Sequence, residues 1–216
     1  VERFGPYRLE RTINVGSIGE VFFAWRDDQP DQPVVVKRLH RELARNPEHV
    51  SLFIEEGQIA RRFTHPNLVR AFDAGEVARG PGDIDYYIAM DLVRGPNLAQ
   101  LAERGVVPPR AVRRIALDLC AGLAHMHEAG MVHCDVSPTN ILIGPERTQL
   151  TDFGVASAAG AAQPRVRGTV AYMSPEQARG DAIDGRSDVF SVGVVAWELL
   201  SRRHLFMRAQ PYLTLA

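Results

Sequence analysis

A chain of 216 residues is long enough to bury a real core, as one large domain or two small ones. Its 45% hydrophobic and 24% charged residues fit an ordinary globular protein, and a formal net charge of −1 gives no bulk pull toward nucleic acid or an anionic membrane. Two cysteines, Cys120 and Cys134, form neither a disulfide framework nor a metal site by spacing, which suits a reducing, cytoplasmic setting.

The first third reads as strands. "YRLERTINV" (7–15) and "EVFFAWR" (20–26) flank the glycine-bearing "GSIG" (16–19), and "PVVVKRL" (33–39) follows a polar turn. "NPEHVSLFIEEGQIARRF" (46–63) has helical spacing: Val50, Phe53, Ile54, Ile59, Ala60 and Phe63 can share a face, and Pro47 suits a first turn after Asn46. Strands over 68–75 and 85–93, with "EVARGPGDI" as the loop between them, complete a five-stranded sheet with one helix. After "RGPNL" (94–98), a crossing linker, the character changes. Residues 108–130 form a strong helix on Val112, Ile115, Leu119, Leu123 and Met126, ended by Gly130. Short strands at 141–144 and 149–153 follow, then a helix near 186–202 that is apolar nearly all round and so expected to be buried. No apolar run approaches the roughly 18 residues of a membrane span, and the start has no signal-peptide pattern. The missing initiator methionine and the ending "QPYLTLA" suggest a piece of a longer protein. A membrane anchor or further domains could lie outside it.

Several stretches carry chemistry. In "INVGSIGEV" (13–21) a glycine-bearing turn lets backbone N–H groups approach a polyphosphate, although alone it reads as well as a plain hairpin. Asn14 takes the first of three customary glycine positions, and asparagine tolerates positive φ. Lys37 ends "VVVK": a lysine pointing inward from a strand needs an anion, whereas one at a strand end snorkels to solvent. Glu55 and Glu56 lie on the helix, either as partners for Lys37 or as part of a solvated face. In "VHCDVSPTN" (132–140), which begins the pattern with His133, Asp135 stands five residues before Asn140 and can accept a proton from an attacking hydroxyl. Asn140 can offer a neutral oxygen to Mg²⁺ and Asp152, in "TDFG", a charged one. Each alone is an ordinary turn residue; the three in this order are hard to explain as turn chemistry.

With "HPNLV", "GTVAYMSPE" (168–176) and "SDVFSVGVVAWELL" (187–200), these stretches resemble a eukaryotic-type protein kinase of the bacterial Ser/Thr class, from about residue 7 to about 206. The resemblance implies an α+β, bilobal fold. Residues 1–93 would be a nucleotide-binding lobe of antiparallel sheet plus one helix, and 94–216 an incomplete, mainly helical lobe with the catalytic loop and activation segment. It implies ATP with Mg²⁺ (or Mn²⁺) as cofactors and a protein Ser/Thr substrate as partner, with no nucleic acid and no membrane contact in this stretch. Val15, Gly16, Gly19, Val21, Val35 and Leu142 would surround the nucleotide, Met90 would guard the back pocket, and the backbone from Asp91 to Val93 would meet the adenine. Lys37 would hold the α- and β-phosphates and pair with Glu56, the glutamate nine residues before His65. Asp135 would be the catalytic base, Asn140 and Asp152 the metal ligands, Thr169 a lining of the substrate-hydroxyl site, and Asp188 a brace beneath the catalytic loop.

The departures from that pattern set further expectations. Cys134 replaces an arginine that in the family pairs with a phosphorylated activation segment. Here Ser157 is the one hydroxyl residue between Asp152 and Gly168, so gating by phosphorylation is not expected. Ser137 replaces a lysine beside the transferred phosphate, a type of loss worth on the order of 10²–10³ in turnover. Val35 crowds the base where the family prefers alanine. Cys134 reads as a small neutral filler and Cys120 as a helix-packing residue. Glu176 lacks the arginine that a later helix supplies in the family, which would leave it unpaired and the underside of the last helix partly bare. The alternative to a kinase is a pseudokinase, a nucleotide-binding scaffold or sensor that transfers nothing.

Overall fold

Phe4, Tyr7, Leu9, Phe22, Ala24, Val34, Val36, Tyr87 and Ala89 form one buried cluster, and the alternation that gathers them sets the geometry of the first half of the chain. A computed structural model describes residues 1–80, 82–161 and 168–206. These fall into two compact units: 1–64 with 69–92, and 65–68 with 93 onward.

The first unit is a six-stranded antiparallel sheet, one strand more than the sequence suggests. Its strands are β1 (Glu2–Phe4), β2 (Tyr7–Val15), β3 (Gly19–Arg26), β4 (Pro33–Leu39), β5 (Ala71–Gly80) and β6 (Asp83–Asp91), in the order β1-β2-β3-β4-β6-β5. The expected loop at 76–84 is instead the end of the β5–β6 hairpin, whose pairing runs to Gly80 and Asp83. Side chains of a strand alternate between faces. Phe22, Val34, Val36 and Ala89 therefore enter the buried cluster, while Val21, Val35, Lys37 and Met90 take the other face, where Val21 opposes Lys37 and Val35 opposes Met90. The cluster's two tyrosine hydroxyls, of Tyr7 and Tyr87, both donate to Asp73 Oδ2, at 2.6 and 2.9 Å.

Helix α1 (Pro47–Arg62) starts where Asn46 accepts from the Glu48 amide, with proline in the first turn. Its buried stripe is Phe53, Glu56, Gly57 and Ala60, joined by Ile59. Ile54, expected inside, is 42% exposed, because it lies about 100° round the helix from Phe53. Gly57 permits the close approach to the sheet: a Cβ there would meet Ala74 Cβ at 3.0 Å and Ile88 Cγ1 at 3.2 Å.

The second unit holds α2 (Leu98–Glu103), α3 (Pro109–Glu128), β7 (Met131–Val132), β8 (Ile141–Ile143), β9 (Thr148–Leu150), β10 (Ser157–Ala158), α4 (Pro175–Arg179) and α5 (Gly185–Ser201). Two small antiparallel pairs, β7 with β10 and β8 with β9, frame the loops of interest. Helix α3 buries Val112, Ile115, Leu119, Leu123 and Met126 as its periodicity requires, and its Asp118 accepts from the Thr148 amide at 2.9 Å. Residues 65–68 pack here, with Leu68 bridging to Leu150 and Asn67 donating to the Thr148 carbonyl at 2.9 Å. Cys120 lies on the exposed side of α3 and is no packing residue. Helix α5 is buried on one side only, through Val192, Val194, Val195 and Leu199, while Val189, Trp197 and Leu200 face outward. Among the described residues no helix is long and apolar enough to cross a membrane.

Candidate active site

Of the expected site residues in the first unit, Val21, Val35, Lys37 and Met90 sit on the sheet face opposite its buried cluster, while Asp91 pairs with Val34 of that cluster. The turn between β2 and β3 closes through a Gly16 N–H to Gly19 C=O bond of 2.9 Å, and His40 Nε2 donates to the Gly16 carbonyl at 2.7 Å. Glycine is required at position 19, since a Cβ would come within 2.2 Å of the Arg38 carbonyl oxygen. Asn14 needs no left-handed conformation. It is a strand residue opposite Val21, next to an irregularity in the ladder. Val15 is largely exposed at the strand end, and Val35 is buried. Lys37 does not snorkel: Nζ donates to Glu56 Oε1 at 2.6 Å, with both side chains nearly buried, while Glu55 is exposed. Asp91 N–H donates to the Arg70 carbonyl at 3.0 Å, and its carboxylate takes two bonds from the Arg70 guanidinium.

Val93 and Leu142 belong to the second unit, where Val93 lies beside Gly144 and Leu142 bridges to Asn97. There the loop between β7 and β8 carries Asp135. Both its carboxylate oxygens are held: Thr169 N–H donates to Oδ1 at 2.8 Å and Asn140 Nδ2 to Oδ2 at 2.8 Å. Each oxygen keeps lone-pair capacity for a further donor. Thr169 thus reaches Asp135 through its main chain. Asn140 spends its amide N–H₂ on Asp135, its second bond going to the Asp135 carbonyl at 3.1 Å, and so offers its amide oxygen to a cation. The Thr151 amide donates to the Asn140 carbonyl at 2.9 Å, and buried His133 Nε2 donates to the Thr151 carbonyl at 3.3 Å. These bonds tie the residue before Asp152 to the loop that carries Asp135. Asp152 itself has φ 68°, a left-handed conformation uncommon outside glycine and typical of over-determined functional sites.

Beneath the loop, Asp188 is 1% exposed. It accepts from His133 N at 2.9 Å, Cys134 N at 2.8 Å and His127 Nε2 at 2.7 Å. Cys134 is buried with Val132 and Ile183, and its thiol donates to the Val132 carbonyl. Ser137, 1% exposed, shares a hydrogen bond with Thr139 and brings no charge. Glu176 has a partner after all, because Ser187 Oγ donates to its carboxylate. Burial alone would raise the Glu176 carboxyl, but Ser187, the residue's own backbone and Ser174 outweigh it and hold the group below the ordinary carboxylate value.

Sequence reasoning missed Gln177 and His127 and gave His133 no role. The Ser174-x-x-Gln177 capping pattern was readable, but bonds spanning 43 and 61 residues leave no local signal. Residues 162–167 of the expected activation segment lie outside the described residues. No group of three or more His, Cys, Asp or Glu side chains stands ready for a metal among the described residues. A cation at Asn140 and Asp152 would rest on two protein oxygens, which fits Mg²⁺, an ion that keeps waters and substrate phosphates as its remaining ligands.

The protein kinase domain family model matches residues 7–214. Curated relatives include serine/threonine-protein kinase PknB of Mycobacterium leprae, 37% identical over 212 residues, covering 95% of this chain and 34% of the relative. The PknB of Mycobacterium tuberculosis H37Rv is 37% identical over 214 residues, with 95% and 34% covered. Probable serine/threonine-protein kinase PknB of Corynebacterium glutamicum is 36% identical over 214 residues, with 95% and 33% covered. The chain spans about a third of the length of these relatives.

Proposed function

The chain belongs to the protein kinase domain family, and on that premise we propose that it transfers the γ-phosphoryl group of ATP to serine or threonine hydroxyls of a protein. The observation that carries the reading is the Asp135 carboxylate, fixed through both oxygens by Asn140 and Thr169. A carboxylate so held is oriented before the substrate arrives, so it can direct a hydroxyl and take its proton with little further ordering. Lys37, drawn to Glu56, is the cation for the α- and β-phosphates. Val21, Val35 and Met90, on the same sheet face, receive the base, with the backbone from Asp91 to Val93 as its polar edge. Asn140 and Asp152 would hold Mg²⁺, which would neutralise phosphate charge when bound. The curated relatives' names support transfer over a scaffold role.

The activity is not gated by a phosphorylated residue acting on the residue before Asp135. Cys134 is neutral and its thiol is turned into the protein. Ser137 leaves the transferred phosphate without a lysine, so turnover is slower by on the order of 10²–10³ than with one. The test is the identity of the product. ATP labelled at the γ position, and not at the α position, labels a generic protein substrate, and hydrolysis of that substrate yields phosphoserine and phosphothreonine. Phosphotyrosine alone, or no label while Mg·ATP is bound, rejects the reading.

A further inference from the structure

Cys134 has φ 67°, a region that residues bearing side chains avoid and keep only where their surroundings over-determine it. Its amide donates to Asp188 Oδ1 at 2.8 Å, and its carbonyl accepts from Gln177 Nε2 at 2.9 Å. The first bond orients the peptide before Cys134. The second orients the peptide after it, which carries the N–H of Asp135 and so sets the direction in which Asp135 leaves the chain. Gln177 is 2% exposed. Its Oε1 accepts from the Ser174 amide at 3.1 Å, which orients the side-chain amide and turns Nε2 toward Cys134. The same carbonyl is approached by Gly168, where a Cβ would come within 2.9 Å of it, and the Thr169 amide binds Asp135 Oδ1. Both ends of the 168–177 stretch are therefore seated on residues 134 and 135.

We propose that Gln177 is a positioning residue for phosphoryl transfer: by donating to the Cys134 carbonyl it holds the peptide that aims Asp135. It does through a neutral, permanent bond what Cys134 has no charge to do through a phosphorylated partner. The inference rests on the phosphotransfer reading above.

Gln177→Glu separates the two bonds of this side chain. A glutamate at this helix position still accepts from the Ser174 amide, since either residue completes a capping box. When ionised it has no proton for the Cys134 carbonyl; when protonated it has one, and burial pushes its carboxyl up. In the full-length protein at pH 7.5, Gln177→Glu lowers kcat by about 10- to 100-fold, the scale of a misaligned catalytic group. KM for ATP stays close to the parent's, and kcat is read well below the melting temperature, which falls because an ionised carboxylate is buried against the Cys134 carbonyl. The ratio of variant to parent kcat rises as pH is lowered toward 5.5. Gln177→Ala, which has no donor at any pH and buries no charge, stays low throughout. Parent-like kcat in either variant at pH 7.5, or a ratio for Gln177→Glu that is flat with pH, overturns the proposal. A parent that transfers no phosphate rejects the phosphotransfer reading instead, and amide exchange then decides the inference. Faster exchange over 133–136 in both variants upholds the anchoring by Gln177, and unchanged exchange overturns it.

Discussion

Replacing Asp188 by asparagine removes a charge and one acceptor while keeping the shape. In the parent, Oδ1 serves the Cys134 amide and Oδ2 serves the His133 amide and His127 Nε2. An asparagine has one oxygen, so in either orientation its NH₂ faces one of the two backbone N–H groups, donor to donor. At 1% exposure of residue 188, no water relieves that group, and an orphaned buried donor costs about 1–3 kcal/mol. The bond that survives drops from charge-assisted to neutral, about 1 kcal/mol more. The sum, about 2–4 kcal/mol, corresponds to a fall in melting temperature of about 5–15 °C for a chain of this size. Asp188→Ala leaves both amides without an acceptor and costs more. Thermal melts of parent and both variants, with Val189→Thr as an exposed neighbour control, read this directly. A drop below about 2 °C for Asp188→Asn, or a greater loss for asparagine than for alanine, refutes the reasoning.

Two further outcomes follow from charge placement. Glu56→Gln removes the charge from one side of the nearly buried Lys37–Glu56 pair and costs about 3 kcal/mol in chemical denaturation together with a raised KM for ATP, whereas Glu55→Gln, on the exposed side, stays within about 0.5 kcal/mol of the parent and retains activity. Glu176 has a folded-state pKa below its ordinary 4.5, so its stabilising contribution is complete above that value and is lost as pH falls through the depressed one. The gap in melting temperature between parent and Glu176→Gln is therefore widest near neutrality and closes in acid; a gap that widens in acid contradicts the assignment.

Strand β4 was legible to the residue because "PVVVKRL" is a β-branched run between turn signals, and its alternation predicts the sheet face of Lys37 once Val34 and Val36 are known to be buried. Strand β1 was not: it is three residues long, with charged Glu2 and Arg3 ahead of the one anchoring side chain, Phe4. The short α2 was not read from the sequence, where the linker 94–98 reached only its first residue, although Asn97 and Gln100 form a capping box that the sequence spells out. At the site, the order of Asp135, Asn140 and Asp152 pointed to the proposed chemistry, because side-chain type and local spacing carry it. What holds these residues in place was legible only in part: the resemblance implied Asp188 as a brace, whereas Gln177 and His127 left no local sign. Asp188, Gln177 and His127 act on backbone atoms of the loop or on one another across dozens of residues, and a hydrogen bond to a peptide group imposes no pattern on the sequence around it. The partner of Glu176 was missed for a related reason: Ser187 is a small polar residue with no charge to advertise the pairing.

The central claim is that the held carboxylate of Asp135 drives transfer from ATP, and the most direct measurement is kcat of the parent against Asp135→Asn with Mg²⁺ and a Ser/Thr protein substrate. Asparagine fills the same space between Asn140 and Thr169 but cannot take a proton. The account predicts a loss of at least about 10²-fold in kcat, with Mg·ATP affinity within about twofold of the parent's. Equal turnover by the two proteins would contradict it.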